Sequence, residues 1–234
     1  MMEYQELADR VKAVRERMAG AAARAGRKPG DILLCAACKA QPGDKVRAAA
    51  HTDIDLFGEN RAQEMRDNLQ AGAYLDVPVH FIGNLQTNKV RQVVGRAAVI
   101  HSVDRGRLLD AIAREAAAQG LVQDILIQVN LAGEQSKAGV APAELRPLLE
   151  RAAGHEALRV RGLMAIPPQT DTQEEARPYF AMLRDLFEQA ISWRLTGQRW
   201  DTLSMGMSDS FEAAILEGAT LVRVGRHIFG DRPG

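Results

Sequence analysis

Eight short apolar runs rich in β-forming residues alternate along this chain with segments of helical periodicity. The runs lie at residues 32–38, 54–58, 79–83, 98–103, 125–130, 159–166, 201–206 and 220–225. Segments such as GRLLDAIAREAAAQG and EEARPYFAMLRDLFEQAISWR separate them. This alternation predicts parallel strands joined by crossover helices, and eight such units close into an α/β fold of the (β/α)8 type, a TIM-type barrel. An open doubly wound sheet is the main structural alternative.

The first segment of the chain predicts an additional N-terminal helix before the barrel. Leu7, Val11, Val14, Met18 and Ala22 recur at helical spacing, and the pattern ends near Gly26. With 234 residues, 46% of them apolar, the chain can bury a sizeable core. Because no linker, low-complexity tract or internal repeat divides it, we expect a single domain over residues 1–234.

Charge and hydropathy exclude several kinds of partner. The 30 basic and 30 acidic residues cancel, and no basic stripe with interleaved aromatic residues occurs, so nucleic acid is not expected as a partner. The first residues, MMEYQELADR, are charged from the third position, unlike a signal peptide. No apolar run reaches the ~18 residues that span a bilayer. We therefore expect a cytoplasmic protein with no membrane partner.

The two cysteines, Cys35 and Cys38, have the spacing of a redox motif but the wrong context. A redox pair needs its first thiol at a helix N-terminus, whereas these residues lie in the apolar run ILLCAACK, which predicts a strand. Positions three apart in a strand face opposite sides. A structural zinc site lacks a second ligand pair. We expect two buried, unpaired thiols.

In a barrel of this type the chemistry lies at the carboxyl ends of the strands. The predicted strand ends carry Lys39, Glu59, Asn60, Gly83, Asn84, Asn130 and the segments 164–167, 204–208 and 223–226. Lys39 is either a solvated strand end or a partly desolvated amine, and such an amine can attack a carbonyl to form a Schiff base. An aldolase-type substrate and pyridoxal phosphate both suit this amine.

The segment SMGMSDSFEAAILEGATLVRVG predicts an anion site between strands seven and eight. Ser208 and Asp209 have the character of a helix N-cap, and the glycine-flanked loop before them can aim backbone N–H groups at a phosphate. Gly225 permits close approach of the backbone after strand eight. An ordinary βα turn is the alternative. Arg223 favours the anion site, because an inward-facing side chain at this position places a permanent charge inside the mouth.

Eight ordered motifs resemble the pyridoxal phosphate homeostasis family, the single-domain relatives of alanine racemase. The motifs are CKA at Lys39, FGEN at 57–60, HFIGNLQTNK at 80–89, HSVD at 101–104, QVNLAGEQSKAG at 128–139, RGLMAI at 161–166, LSMGMSDSFEAAILEGATLVRVG at 203–225 and IFG at 228–230. The resemblance covers nearly the whole chain. Two positions depart from the family, since Cys38 stands where serine usually precedes the lysine, and Arg226 stands where a small threonine or serine is common.

The resemblance implies a role for each matching residue. Lys39 would hold pyridoxal phosphate as a Schiff base, and Asn60 and Met164 would line the pocket of its ring. Arg223 would donate to the pyridine nitrogen. The phosphate would be surrounded by Ser204, Gly206, Ser208, Gly225 and Arg226. The departure at Arg226 replaces a hydroxyl contact there with a backbone N–H or a charged contact.

Arginine beside the pyridine nitrogen has a chemical consequence. Because arginine keeps its proton, it hydrogen-bonds an unprotonated nitrogen, and the ring is then a weak electron sink. An aspartate would instead keep a pyridinium and favour carbanion chemistry. We therefore expect a non-catalytic protein that carries and buffers pyridoxal phosphate, maintains its homeostasis and supplies pyridoxal-phosphate-dependent enzymes as recipients.

The end of the chain bears on the same expectation. In alanine racemase a β-domain follows the barrel and supplies a catalytic tyrosine from the partner subunit, whereas this sequence ends with residues 231–234 directly after strand eight. Racemisation needs a second acid/base group opposite the lysine. Tyr4, Tyr74 and Tyr179 fall in predicted helices or loops away from the strand ends. We expect a monomer, and the alternative is a weak amino-acid racemase or a Schiff-base lyase that uses the same lysine.

Overall fold

Eight parallel strands form a closed barrel in the computed structural model, which describes residues 2–134, 138–195 and 197–230. The strands follow one another around the barrel in sequence order, and the last pairs with the first. They are β1 (Leu33–Ala37), β2 (Leu56–Glu59), β3 (Val79–Phe81), β4 (Val99–Val103), β5 (Gln123–Gln128), β6 (Leu158–Met164), β7 (Gln198–Ser204) and β8 (Leu221–Val224). The predicted (β/α)8 barrel is confirmed, because pairing of β1 with β8 excludes an open doubly wound sheet.

Helices connect the strands on the outside of the barrel. They are α1 (Met2–Arg24), α2 (Gly43–Ala49), α3 (Ala62–Gln70), α4 (Val90–Val93), α5 (Gly106–Ala118), α6 (Leu145–Ala153), α7 (Gln173–Ser192), α8 (Phe211–Leu216) and α9 (Arg226–Phe229). Short 3-10 turns occur at Pro29–Asp31, Thr87–Lys89 and Pro142–Glu144. Part of the QVNLAGEQSKAG motif, residues 135–137, lies outside the described residues, and so does the chain end at 231–234.

The larger hydrophobic core lies between the barrel and its helices, as the apolar stripes of the helices predict. Two smaller clusters form from strand residues, one of Cys35, Leu56 and Leu221 and the other of Val99, Leu126 and Met164. None of the described helices is long and apolar enough to cross a membrane.

The predicted additional helix is confirmed as α1, which packs against α8 and α9. Its buried stripe includes Leu7, Val11, Val14 and Met18, as their helical spacing predicts. The polar residue Arg17 joins the three helices at the edge of this contact: its Nη2 donates to Glu212 Oε2 of α8 at 2.8 Å, and its Nη1 lies 3.2 Å from Nδ1 of His227 on α9. Helices α8 and α9 flank the end of the barrel that the sequence marks as functional.

The barrel closes between β7 and β8 near the carboxyl end of β7. The two strands share the pair Ser204 and Leu221. Two backbone bonds continue the junction past the end of β7, from the Met205 N–H to the Leu221 carbonyl at 3.1 Å and from the Arg223 N–H to the Gly206 carbonyl at 3.0 Å. The segment that follows β7 therefore takes part in closing the barrel.

Charged residues near the amino-terminal ends of β5, β6 and β7 form an ion-pair network. Arg161 Nη1 donates to Asp124 Oδ2 at 2.7 Å, and its Nη2 donates to Asp201 Oδ2 at 2.7 Å. Arg159 Nε also donates to Asp124, at 2.6 Å. We call these four residues the floor network.

Candidate ligand site at the barrel mouth

A cavity of about 360 Å³ opens at the carboxyl ends of the strands. Its volume lies within the range of small-ligand pockets. Six of the nine site residues expected from sequence line it: Lys39, Asn60, Ser208, Arg223, Gly225 and Arg226. The other lining residues are Ala37, Gln41, Ile82, Ile166, Met207, Asp209, Ser210, Phe229 and Gly230.

Lys39 enters this cavity from the end of β1 and is partly buried. The backbone turns sharply after it, because Ala40 has a φ of 58°, a left-handed conformation that side chains other than glycine rarely adopt. The Ala40 N–H donates to Glu64 Oε2 at 3.2 Å, which ties the turn to α3. A primary amine thus lies on a constrained segment inside a concave site.

Arg223 is buried, with 5% of its surface exposed, and its guanidinium is held by two hydrogen bonds. Nη1 donates to Ser204 Oγ at 2.5 Å and Nη2 donates to the Ala165 carbonyl at 2.9 Å. Burial lowers the pKa of Arg223 to about 10, so the side chain remains a cation at neutral pH. The side chain faces into the barrel, which is the condition under which the sequence favoured an anion site here.

A cup of small groups lies between the ends of β7 and β8. The Gly225 N–H donates to Ser208 Oγ at 3.2 Å, and Arg226, at the start of α9, pairs with Asp209 across the rim. A Cβ at Gly225 would lie 3.1 Å from the Ala37 carbonyl, a tight contact, so glycine lets the backbone here pass close to β1 without displacing it. The donors at this cup, the Ser208 hydroxyl and the Arg226 guanidinium, and its small residues suit an anionic oxygen cluster.

Three expected site residues do not line the cavity. Met164 is fully buried and packs with Val99 and Leu126, while Ser204 is fully buried against Arg223. Gly206 has a φ of 88°, and a Cβ there would lie 2.6 Å from the Cβ of Ala214. These residues support the lining from behind, because they shape the turn or contact a side chain that does reach the cavity.

The helix N-cap expected at Ser208 and Asp209 is wrong by one to two residues. Helix α8 begins at Phe211, and Ser210 precedes it as the N-cap. A turn comes first, in which the Ser210 N–H donates to the Met207 carbonyl at 2.9 Å and the Met207 N–H donates to Ser210 Oγ at 3.2 Å. This extra turn frees Ser208 to face Gly225.

Glu59, which the sequence places at a strand end, lies behind the mouth and not in it. Its Oε1 accepts hydrogen bonds from Tyr74 at 2.6 Å, Asn68 at 2.9 Å and the Cys38 thiol at 3.2 Å. Burial raises the pKa of the Glu59 carboxyl. The predicted place of Glu59 at the end of β2 is confirmed, but its side chain points toward α3 and away from the cavity.

The two cysteines are free and buried, as predicted. Burial raises the pKa of Cys35 to about 12, and burial together with Glu59 raises that of Cys38 well above its ordinary value. Cys35 belongs to a cluster with Leu56 and Leu221, whereas Cys38 belongs to the core outside the barrel. Thiols in such surroundings are inert.

Sequence reasoning missed two buried histidines. His101 Nδ1 lies 3.1 Å from Ser204 Oγ, and its Nε2 lies 2.9 Å from Nδ1 of His80. Burial lowers the pKa of His80 to about 4 and, together with the charges of His80 and Arg223, lowers that of His101 well below its ordinary value. The signal was available in HSVD and VHF, because each places a histidine within a predicted apolar strand run.

The fold and the site together define a class of barrel protein in which a lysine amine, a buried guanidinium and an anion cup share one mouth. The chain matches the family model of the alanine racemase N-terminal domain over residues 5–233. It belongs to that family.

Similar proteins with curated names cover nearly the whole chain. A pyridoxal phosphate homeostasis protein of Aquifex aeolicus is 42% identical over 96% of this chain and 97% of its own length. A protein of the same name from Pseudomonas aeruginosa is 40% identical over 97% of this chain and 96% of its own length. The family resemblance read from the sequence is confirmed.

Solved structures share the fold. PipY of Synechococcus elongatus, in a structure with bound PLP, is 33% identical, with a TM-score of 0.84 over 96% of this chain and 100% of that one. A Bifidobacterium adolescentis protein is also 33% identical, with a TM-score of 0.92 over 97% of this chain and 96% of that one. Alanine racemase of Corynebacterium glutamicum is 15% identical with a TM-score of 0.71, and it shows the barrel fold alone.

Proposed function

We propose that this protein binds pyridoxal 5'-phosphate at the barrel mouth, carries and buffers it, and maintains its homeostasis in the cell. The observation that carries the proposal is the meeting of Lys39, Arg223 and the Ser208–Gly225 pair in one cavity of about 360 Å³. The names of the similar proteins and the PLP bound to PipY support it. Bound pyridoxal phosphate supplies a reactive aldehyde, a basic ring nitrogen and a phosphate dianion.

Each of these three groups has a fitting partner in the cavity. The amine of Lys39 would bond the aldehyde carbon covalently, and Arg223 would donate to the ring nitrogen. The phosphate would be held by Ser208, Gly225 and Arg226. To do so, Arg226 would leave its ion pair with Asp209 and bind the phosphate instead. Asn60 would contact the ring. We assign Met164, Ser204 and Gly206 supporting roles behind this lining.

We propose further that the protein does not turn over amino acids efficiently. The ionisable side chains that line the cavity are Lys39, Asp209, Arg223 and Arg226, and Asp209 is paired with Arg226. The described lining holds no tyrosine, histidine or cysteine that could act opposite Lys39. Tyr74 is engaged by Glu59. Racemisation needs acid/base groups on both faces of the cofactor, so the geometry favours a carrier.

The remaining properties belong to the same proposal. We propose a cytoplasmic monomer that is a single domain over residues 1–234 and that passes its cargo to pyridoxal-phosphate-dependent enzymes. The large exposed apolar residues of the described chain are scattered over separate elements, which fits a monomer. Ile166 and Met207 are the ones at the rim of the cavity, where a recipient would approach.

The deciding experiment combines covalent trapping with a turnover assay. Wild-type protein loaded with pyridoxal phosphate and reduced with borohydride should carry the pyridoxyl group on the Lys39 peptide. Lys39→Ala should lose the label but keep part of the affinity, because the phosphate cup does not depend on the amine. Lys12→Ala is the control, since Lys12 is an exposed lysine of α1 that does not line the cavity.

Chiral chromatography of an amino-acid panel, run on the same proteins, tests the carrier role. We expect no turnover in the usual enzymatic range of about 1 s⁻¹ or more. Robust Lys39-dependent racemisation or cleavage would instead establish the alternative, an enzyme. A label found chiefly on another lysine would overturn the site.

A further inference from the structure

A hydrogen-bonded row of four side chains crosses the interior of the barrel and ends at the cavity. Arg223 Nη1 lies 2.5 Å from Ser204 Oγ, Ser204 Oγ lies 3.1 Å from His101 Nδ1, and His101 Nε2 lies 2.9 Å from His80 Nδ1. Ser204 and His101 are fully buried, and Arg223 and His80 are 5% and 8% exposed. We call these four residues the interior row.

The chemistry of arginine gives the row a direction. A guanidinium only donates, so Ser204 Oγ must accept from Arg223. If His101 Nδ1 also donated to Ser204 Oγ, the buried hydroxyl hydrogen would have no acceptor among the contacts of the described residues, which is unfavourable. The hydroxyl therefore donates to His101 Nδ1, so His101 is neutral and carries its hydrogen on Nε2. That hydrogen points to His80 Nδ1, so His80 has the same tautomer. Every hydrogen bond within the row therefore runs from the cavity side toward His80.

Electrostatics agrees with this arrangement. A positive charge on His101 would lie deep in the barrel near the charge of Arg223, and burial alone already disfavours it. Burial also lowers the pKa of His80, and of the floor network Arg161 lowers it further while Asp124 raises it. Both imidazoles are therefore neutral at neutral pH, and the row holds one cation, at the cavity end.

We infer that Ser204 and His101 are positioning residues that fix the plane of the Arg223 guanidinium against the ring nitrogen of the ligand. Ser204 Oγ and the Ala165 carbonyl engage two nitrogens of the guanidinium from within the barrel, which leaves its remaining N–H groups for the cavity, and His101 acts on this arrangement through Ser204. Hydrogen bonds weaken steeply with misalignment, so a rotated guanidinium would bind the ring nitrogen poorly. This inference rests on the proposed binding of pyridoxal phosphate.

The chain offers a matched pair of serines for the test. Ser204 and Ser102 are both buried strand residues, but Ser102 Oγ has no hydrogen-bond partner in the structure. Ser204→Ala should weaken the affinity for pyridoxal phosphate about five- to tenfold and shift the absorbance maximum of the bound form, because the ring nitrogen loses an aligned donor. Ser102→Ala makes the same chemical change and should alter neither. Equal effects of the two substitutions would overturn the inference.

His101 provides a second, independent pair of variants. His101→Gln keeps an acceptor for the Ser204 hydroxyl and should retain the wild-type spectrum, whereas His101→Phe keeps the ring but removes the acceptor and should behave as Ser204→Ala does. A wild-type spectrum in His101→Phe would contradict the proposed role.

Nitrogen NMR of ligand-free protein separates this inference from the proposed function. At neutral pH, His80 and His101 should each show an unprotonated Nδ1 and a protonated Nε2, and Ser204→Ala should change the pattern of His101 while Ser102→Ala leaves it. If wild type shows this pattern but binds no pyridoxal phosphate, the proposed function fails and the row stands. If wild type binds the cofactor but His101 has the opposite tautomer, the inference fails.

Discussion

The backbone strain beside Lys39, the lysine of the candidate site, is concentrated at Ala40. Its φ of 58° is one of three positive values at non-glycine residues in the described chain, the others being at Leu75 and Arg194. A left-handed residue costs about 1 kcal/mol or more when it carries a Cβ. Because Ala40 follows Lys39 directly, this strained turn fixes where the amine begins its path into the cavity.

Replacement of Ala40 by glycine should relieve this strain. We expect Ala40→Gly to raise the free energy of unfolding by about 0.5 kcal/mol, since relief of the left-handed conformation exceeds the greater entropy of glycine in the unfolded chain. Ala141→Gly is the control, because Ala141 is also exposed but has an ordinary φ of −63°, and this change should destabilise slightly. Urea unfolding of both variants measures the difference, and equal effects would contradict the assignment of strain.

Sequence reasoning located the residues that meet at the mouth but not the depth of each one. Alternation along a strand correctly gave the opposite sides of Cys35 and Cys38, whereas the inward face of Arg223 was only a condition that the structure meets. It could not give the level of Ser204 or Met164 within the barrel, because that depends on the stagger between neighbouring strands. Register shifts interrupt the pairing of β4 with β5, β5 with β6 and β6 with β7. No local pattern in the sequence reports those shifts.

Helix α1 acts on the site through α8 and α9. The guanidinium of Arg17 lies 4.7 Å from the centre of the Phe211 ring, in addition to its bonds with Glu212 and His227. One side chain thus holds together the two short helices that follow β7 and β8. The amphipathic stripe of α1 was evident in the sequence, but Arg17 was not, since its partners lie about 195 residues away along the chain.

Removal of this contact should cost more than removal of an ordinary surface ion pair. We expect Arg17→Met to lower the free energy of unfolding by about 1–2 kcal/mol, from the partly buried ion pair and the cation–π contact together. Arg10→Met is the matched control on the same helix: both side chains are 39% exposed, but Arg10 pairs only one turn away with Glu6. Its loss should be about 0.5 kcal/mol or less. Thermal unfolding of both variants would refute the role of Arg17 if the two losses were equal.

Strand and helix alternation sufficed to predict the elements and their order. The predicted ends of the elements differ from the observed ones in places. Strand β5, for example, begins at Gln123, two residues before the predicted run. Gln123 is polar yet buried, because its side chain donates to the Ala97 carbonyl and accepts from the Gly95 N–H. Hydropathy alone does not mark such a residue as part of a strand.

For the molecule as a whole, the two neutral histidines inside the barrel link stability to pH. His80 and His101 take up protons freely in the unfolded chain below about pH 6.5, whereas in the fold His80 stays neutral until about pH 4 and His101 is also strongly shifted downward. The unfolded state therefore binds more protons in this window, and stability falls as the pH falls. The charged groups that face His80 are Arg161 and Asp124, and Arg223 faces His101.

Wild-type protein should lose about 2 kcal/mol of unfolding free energy per buried histidine between pH 7 and pH 5. Urea unfolding at the two pH values measures the loss. His80→Gln should reduce the difference by about one histidine's share, because glutamine does not titrate. His51→Gln, at an exposed histidine, should leave the difference unchanged. If His80→Gln left the pH dependence of the unfolding free energy unchanged, the fold would not lower the pKa of His80, and the prediction would be wrong.

The segment that closes the barrel between β7 and β8 also forms the cup of the candidate site. Its last two backbone hydrogen bonds run from the Met205 N–H to the Leu221 carbonyl and from the Arg223 N–H to the Gly206 carbonyl. In the cup that follows, the Gly225 N–H donates to Ser208 Oγ. If a phosphate bridges Ser208 and Gly225 as proposed, it adds a connection between the two strand ends at the point where the barrel closes. Ligand binding and closure of the barrel are then thermodynamically linked, and any change that loosens this junction should favour release of the ligand.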